Sequence, residues 1–513
     1  MDHEYLRVTL GLCVTGLVYT LYRMVKSSAA RRAYPLPPGP RDAWYSPGPK
    51  MPLKLTELGE IYGPVCSYRR GKDVVCVING FQPAMEILQK HGVDTVDRPR
   101  MIAANELLSG GMRTVLIPAG LRIRKLRRAL LSQLQLNTVS QYYPLQMKSA
   151  RAFILDLLRD PEGHAAHAIR YAASVVISMT YGKLEPTNAD DPDVAQMRTF
   201  TSRFGKYIPV GSHVVDNWPI LKYVPFVTAE LRRWHQEELE FFREMVNEVR
   251  AKMAAHTDPS CFTSYLLEHQ QQFELNDDEL GYLTGAMYAA GSETVRYYIL
   301  SVVSVRVLCF WKTSNALSLM IMAAAKFPEE AMKVRAQLDA VIGRNRLPTF
   351  DDMGALPRVK AFFWETFRWR PVFWGGLAHR AMKDLIWNEY VIPKGAIIIG
   401  NHWGIARDPE AYPEPHKFNP HRWLDEHGNF REDMSFCNYG FGRRFCVGQY
   451  LANNSLFINT ALILWAFNLE EAPEAPIDDM AFTDGATIRP LPFKVALKPR
   501  MDNLEEMLAS HIA

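Results

Sequence analysis

A mainly helical chain with small peripheral β-sheets, in one large domain behind an N-terminal membrane helix, follows from three features of the sequence. Beyond about residue 120 the apolar positions recur with a helical period almost throughout. Strand-like stretches are short and fall at 65–78, 386–399 and 493–497. Nothing divides the 513 residues, since there is neither a long low-complexity linker nor an internal repeat. A hydrophobic content of 48% and a charged content of 22% suit a large core. A net charge of +4 is small for this length and argues against wholesale nucleic-acid binding. The seven cysteines, at 13, 66, 76, 261, 309, 437 and 446, are scattered. They suit neither a disulfide framework nor a zinc site, and they indicate a reducing compartment.

Residues 1–26 read as a membrane anchor. The stretch 6–25 is mostly apolar and close to the ~20 residues that cross a bilayer. Arg7 and Arg23 lie near its ends, where long side chains can snorkel. Lys26, Arg31 and Arg32 follow it while Asp2 and Glu4 precede it, which puts the bulk of the chain on the cytosolic side. Positive charge after the apolar run disfavours a cleaved signal peptide; a buried core helix is the competing reading. Residues 27–52 form a basic, proline-rich hinge with prolines at 35, 37, 38 and 40, which stiffen the chain and stop a helix.

Residues 53–513 make up the large domain. A short helix is expected over 54–62. Strands at 65–68 and 74–78 are joined by a turn at Gly71-Lys72, and a helix over 83–91 has Pro83 in its first turn. Later strands are expected at 386–392, 397–399 and 493–497. Ile123 to Arg128 open a basic helix. Glu365 and Arg368 stand three apart on one helix face, among Phe362, Phe363, Trp364, Phe367 and Trp369, whose bulk favours burial of the pair. Gly291 lies in a helix interior, where glycine costs about 1 kcal/mol relative to alanine; close approach to a ligand and plain helix packing both explain it.

The most informative residue is Cys446. It ends a loop with Tyr439, Gly440, Phe441, Gly442, Arg443, Arg444 and Phe445, and Gly448 follows. An isolated cysteine is usually a small buried hydrophobe. Here the glycines let backbone approach a flat ligand, and arginines beside a thiol favour its ionised form and pair with carboxylates. The segment resembles the haem-binding loop of the cytochrome P-450 family, Phe-x-x-Gly-x-Arg-x-Cys-x-Gly. Gly442, Arg444, Cys446 and Gly448 match in register; Tyr439 replaces the usual Phe and adds a hydroxyl that needs a partner. The resemblance implies haem b (iron protoporphyrin IX) with Cys446 as its thiolate metal ligand.

Three further motifs appear in the family's order. Ile123 and Arg127 resemble the Trp-x-x-x-Arg of a haem-flanking helix, without the Trp, which implies Arg127 as a propionate ligand with Arg124 as a helper. Arg122, Lys125 and Arg128 then fit a patch for an acidic electron donor. Gly291, Glu293 and Thr294 resemble the oxygen-site helix. The resemblance implies that Gly291 leaves room for dioxygen, that Thr294 hydrogen-bonds it and that Glu293 relays protons. Glu365 and Arg368 resemble the family's Glu-x-x-Arg, with Arg422 as the third member of a structural triad; His421 departs from the usual glutamate. His379 and Arg380 fall where the family has a propionate-binding pair, of which Arg380 is the expected ligand. The proline hinge and the segment from Asn401 to Pro409 are similar to the microsomal, fungal-type branch.

The oxygen-site pattern breaks after Thr294. The 18 residues 295–312 are rich in β-branched and aromatic types and do not continue the helix. Joining Thr294 to Thr313 restores the family pattern. Every valine codon begins GT and a lysine codon can end AG, the usual boundaries of an intron. The segment is therefore expected to be a retained intron or gene-model error, against a genuine insertion as the alternative. If helical it adds ~27 Å; a protruding segment instead exposes Tyr297, Tyr298, Phe310 and Trp311.

The implied activity is a monooxygenase that inserts one atom of dioxygen into a lipophilic small molecule. NADPH-cytochrome P-450 reductase supplies the electrons, with cytochrome b5 as a second candidate donor. The implied location is the endoplasmic reticulum membrane, single-pass, with the catalytic domain cytosolic. Two rivals are an oxygen-independent haem-thiolate isomerase or dehydratase, disfavoured by Glu293 and Thr294, and a haem-binding protein impaired by 295–312. Expected pocket walls at 101–108, 200–226, 286, 290, 372–377 and 488 are largely apolar. They suit secondary metabolites, fatty acids, sterols or xenobiotics alike.

Overall fold

The computed structural model describes residues 34–42, 45–48, 50–183, 191–209, 211–257, 260–292, 313–434, 437–483 and 489–509. Helix α1 (Met51–Tyr62) begins inside the stretch assigned to the hinge, because Pro52 fits its first turn, where an N–H has no intrahelical partner. β1 (Val65–Arg70) and β2 (Asp73–Ile78) form an antiparallel hairpin through Gly71, at φ 61°. β2 pairs in parallel with β6 (Ile397–Gly400), and β6 pairs antiparallel with β3 (His379–Arg380). The result is a four-stranded sheet of order β1-β2-β6-β3.

The strand expected over 386–392 is instead a hairpin of β4 (Leu385–Trp387) and β5 (Tyr390–Ile392). Asn388 turns it at φ 52°, a conformation asparagine tolerates better than most residues. A third small sheet pairs β7 (Phe467–Glu471) with β8 (Val495–Pro499). The helix expected over 83–91 is one α turn, Phe81–Ala84, running into a π-helical stretch, Met85–Lys90. Its wider turns carry the Gln89 side chain and the Leu88 carbonyl to Gly442 of the cysteine loop.

The helical bulk is built from α2 (Leu121–Leu134), α3 (Tyr143–Arg159), α4 (His164–Tyr181), α5 (Pro192–Tyr207), α6 (Pro225–Ala254), α7 (Asp277–Ser292), α8 (Thr313–Lys326), α9 (Pro328–Val341), α10 (Pro357–Trp369) and α11 (Gln449–Ala466). α4 is buried along most of its length and packs against α3, α7 and α8. α11 starts three residues after Cys446 and is buried from Asn454 to Ala466 among α3, α8, α9 and α10. The cysteine loop is thus anchored on the largest apolar cluster of the molecule. α7 and α8, which flank residues 293–312 in the chain, both pack on α4.

The proline-rich stretch is docked on the domain. Pro38 O accepts the Ser67 N–H at 2.8 Å, Pro37 O accepts its hydroxyl at 2.5 Å, and Pro35 O accepts the Val391 N–H at 2.9 Å. Among the described residues no helix is long and apolar enough to cross a membrane. The anchor assigned to 1–26, and Glu293, Thr294 and 295–312, lie outside them.

Candidate active site

The cysteine loop closes on itself through backbone bonds. The Cys446 N–H donates to Tyr439 O at 2.8 Å, and the Gly440 N–H to Cys437 O at 2.9 Å. Gly440 and Gly442 both take positive φ, 79° and 51°. A Cβ at Gly442 would stand 2.7 Å from Leu88 O, so only glycine fits there. At Gly448 no atom of a described residue beyond its immediate chain surroundings lies within 4 Å of where a Cβ would stand. The hydroxyl of Tyr439 finds its partner in Asn453 Oδ1, at 2.6 Å.

The loop forms one wall of a cavity. Cys446 lines it with Leu130, Phe373, Leu377 and Phe441, and its polar lining includes Arg98, Arg127, Arg444, His379 and His402. Arg98 donates to the carbonyls of Val115, Leu377 and Ala378. Arg444 donates to Val96 O and Ile117 O at 2.7 and 2.6 Å. Arg127 donates to Phe445 O at 3.0 Å and lies 5.1 Å over its ring. No carboxylate is among the described residues lining the cavity. Burial, then the neighbouring Arg444 and Arg127, push the Arg98 guanidinium down to about 9. Burial and Arg127 bring Arg444 down to about 10. His379 is held well below the usual imidazole value, by burial first and Arg98 second. Its Nδ1 meets Thr95 O at 2.7 Å.

Two sequence-expected ligands point elsewhere. Arg380 lies across from Asp97, with Nη2 at 2.5 Å from Oδ2, and does not line the cavity. Side chains alternate along extended backbone, so pairing Arg380 with Asp97 turns His379 inward. Arg124 opens onto a neighbouring surface cleft with Arg127, Arg128, Arg443 and Arg444. Of the basic residues expected to meet an electron donor, Arg122 and Lys125 are occupied by the buried Glu279, at 2.9 and 2.7 Å. Gly291 lies in α7, its surroundings outside the described side chains. Arg98 was missed: a single Asp-Arg-Pro step carries no periodic or spacing signal.

Glu365, Arg368 and Arg422 are brought together. Arg368 donates twice to Glu365, at 2.8 and 2.7 Å, and Arg422 Nε lies 3.1 Å from Glu365 Oε2. Trp423 Nε1–H and the Asn419 N–H complete the carboxylate's shell, while Arg368 also donates to Ala406 O, Pro415 O and Lys417 O. Glu365 and Arg368 have no solvent exposure.

The cavity fits haem b. Buried guanidiniums that repel one another and hold only carbonyls suit the two propionates of a porphyrin, and the loop presents sulfur from the same wall. Among the described residues no cluster of three or more His, Cys, Asp or Glu is placed to hold a metal ion. The "Cytochrome P450" family profile matches residues 43–301 and 311–497. This chain belongs to the cytochrome P450 family. The match is interrupted at 302–310, inside the anomalous segment. The chain is 47% identical over 510 residues to cytochrome P450 monooxygenase 64 of the fungus Postia placenta, covering 99% of each. It is 44% identical over 512 residues to monooxygenase 113 of the same organism, covering 99% of this chain and 100% of that one. A solved zebra fish cytochrome P450 with abiraterone shares the fold at TM-score 0.68 and 22% identity, over 88% of this chain and all of that one. Family and fold make this a haem-thiolate monooxygenase with haem b as cofactor.

Proposed function

We propose that this chain inserts one oxygen atom of dioxygen into a lipophilic small molecule, with electrons from NADPH through a flavoprotein reductase. The observation that carries this reading is the anion-deficient cationic cavity beside Cys446. Haem b, when bound, supplies dioxygen activation at iron carrying a thiolate ligand. Cys446 provides that thiolate. Arg98, Arg127, Arg444 and His379 hold the propionates, and Phe373, Leu377 and Leu130 exclude water. Gly291, Glu293 and Thr294 are assigned room for dioxygen and proton delivery on the resemblance to the oxygen-site helix.

The reductase surface is the cleft whose exposed cations are Arg124, Arg128 and Arg443, a field that complements an acidic donor. Membrane association has two supports. One is the apolar stretch 6–25, read as a single-pass endoplasmic reticulum anchor with the domain in the cytosol. The other is the exposed set Trp218, Ile220, Tyr223 and Phe226, from 66 to 87% accessible. The test is turnover with reductase, NADPH and labelled dioxygen on a panel of lipophilic substrates. One labelled oxygen in a product, dependent on NADPH, is the expected outcome; reductase-independent rearrangement of a substrate refutes it.

A second reading concerns residues 295–312 and is favoured by the interruption of the family match. We infer that this segment is foreign to the active enzyme. Deleting it brings Thr294 directly before Thr313, the first residue of α8. Sequencing the mature transcript tests this. Transcripts lacking these codons are expected; transcripts that all keep them, with an active product, overturn it.

A further inference from the structure

The proline-rich stretch, the β1–β2 hairpin and the turn before β6 enclose a second cleft, which shares no lining residue with the cavity beside Cys446. Its volume is about 440 Å³, the size of a small-molecule site. The buried Val391 and Ala396 form its base, and Pro35 and Leu36 form one wall. Backbone bonds fix that shape. Pro35 O accepts the Val391 N–H at 2.9 Å. The turn that carries Lys394 is closed by the Ala396 N–H to Pro393 O at 2.9 Å and the Gly395 N–H to Ala381 O at 2.8 Å.

Three cations stand on the rim: Arg69 of β1, Lys72 of the hairpin turn and Lys394. All are exposed, and among the described residues none is paired with a carboxylate. Lys54, Lys333 and Lys498, exposed too, pair with Glu57, Glu330 and Glu470. Asp73 is the one carboxylate among the described residues lining the cleft, and Asp384 beside it accepts the Lys394 N–H at 2.6 Å. Cations converging on a concave surface raise the local concentration of anions. The cleft also lies between the two features that support membrane association. At one end the chain reaches Tyr34 from the apolar stretch 6–25 through residues 26–33, which include Lys26, Arg31 and Arg32 and span at most about 30 Å. At the other, the Arg70 guanidinium lies 3.7 Å from where a Cβ at Gly211 would stand, and Asn217, next to the exposed Trp218, donates to Gly211 O.

We propose that this cleft binds the phosphate headgroup of an anionic glycerophospholipid of the cytosolic leaflet, held by Arg69, Lys72 and Lys394. The planar fork of Arg69 matches phosphate oxygens in pairs, and the two ammonium groups add point charges. A choline headgroup brings a cation of its own, which the rim repels, so zwitterionic lipid is disfavoured. The proposal rests on the membrane reading and deepens it by naming the lipid class and its site.

Calorimetric titration of the haem-loaded full chain, kept in a non-ionic detergent, tests it with three soluble probes. These are dihexanoyl phosphatidic acid, dihexanoyl phosphatidylcholine and inorganic phosphate. Phosphatidic acid is expected to bind one to one, and R69Q/K72Q/K394Q to weaken it by roughly a hundredfold. K333Q/K417Q/K498Q removes as many cations elsewhere and is expected to change the affinity by under about twofold. Hydrogen exchange over 34–38, 69–74 and 391–396 slows when phosphatidic acid binds. Equal losses in the two triple variants, or phosphatidylcholine bound as tightly as phosphatidic acid, overturn the proposal. Inorganic phosphate bound as tightly also overturns it, because the ligand is then a free anion and not a lipid. Should R69Q/K72Q/K394Q fail to fold, K72Q alone decides: a loss of roughly fivefold is expected, and an unchanged affinity refutes the proposal. Failure of the membrane reading is distinguishable, because the native chain then does not float with phosphatidylcholine vesicles, whereas the titration reads the cleft without a bilayer.

Discussion

Two buried clusters of charge in this chain are balanced in opposite ways. Around Glu365 the carboxylate meets Arg368, Arg422, Trp423 and the Asn419 N–H, and the remaining Arg368 donors end on carbonyls. Around the cavity Arg98, Arg127 and Arg444 donate, among the described residues, only to carbonyls. The nearby carboxylate, Asp97, is held by Arg380 and the Ala119 N–H. A cluster that neutralises itself is part of the scaffold; one with surplus cations is completed by a ligand. Charge balance therefore separates structural from cofactor-binding arginines where burial alone does not.

The largest effect expected from this contrast is at Glu365. Glu365→Gln leaves two buried arginines without their carboxylate and costs about 3–5 kcal/mol. Thermal or urea denaturation should register the loss equally with and without haem. If the variant is destabilised only in the loaded protein, the triad is not scaffold. Arg98→Leu and Arg444→Leu sharpen the comparison by going the other way. Each removes a repelled cation, so the haem-free chain keeps or gains stability. Loss of haem to a scavenger protein speeds up by roughly ten- to hundredfold, the equivalent of about 1.5–3 kcal/mol for a charged hydrogen bond. Equal destabilisation of haem-free protein would place these arginines with the triad.

Tyr439→Phe is smaller. It restores the family residue but leaves Asn453 Oδ1 without its donor, a loss of about 1 kcal/mol, readable as a shift in the denaturation midpoint with haem content unchanged. The smallest effect lies where the half-exposed Arg346 holds the buried Asp352 carboxyl below its usual value and Thr349 adds to it. The folded carboxyl is more acidic than the unfolded one. Its stabilisation is complete above the ordinary carboxylate range and fades as pH falls through the lowered folded value. The stability gap between native protein and Asp352→Asn, under about 1 kcal/mol, should close over that acid range. A gap independent of pH would dissociate Asp352 from Arg346.

The Glu365–Arg368 pair is legible in its spacing on one helix face, while the Cys446 loop and Arg127 are legible through short motifs that resemble the family's, each spanning a few residues of one turn or one helix. Arg422 was legible only through the family's order of motifs. What stayed hidden depends on distant backbone. Arg98 and His379 meet because Asp97 bridges to Arg380 at the sheet edge, and the alternation of that short strand, set by Asp97, decides which neighbour faces inward. The π-helical stretch at Met85–Lys90 has no periodic signature in so few residues, yet it supplies the Gln89 contact to the cysteine loop. β3 is two residues long and exists because β6 pairs with it.

The central claim is that Cys446 delivers a thiolate to haem iron inside the cationic cavity. The direct measurement is the reduced, carbon monoxide difference spectrum of native protein and of Cys446→Ser, each reconstituted with haem. Native protein is expected to give the long-wavelength Soret band that thiolate ligation produces, and Cys446→Ser to lose it. An unchanged band in Cys446→Ser would contradict the account.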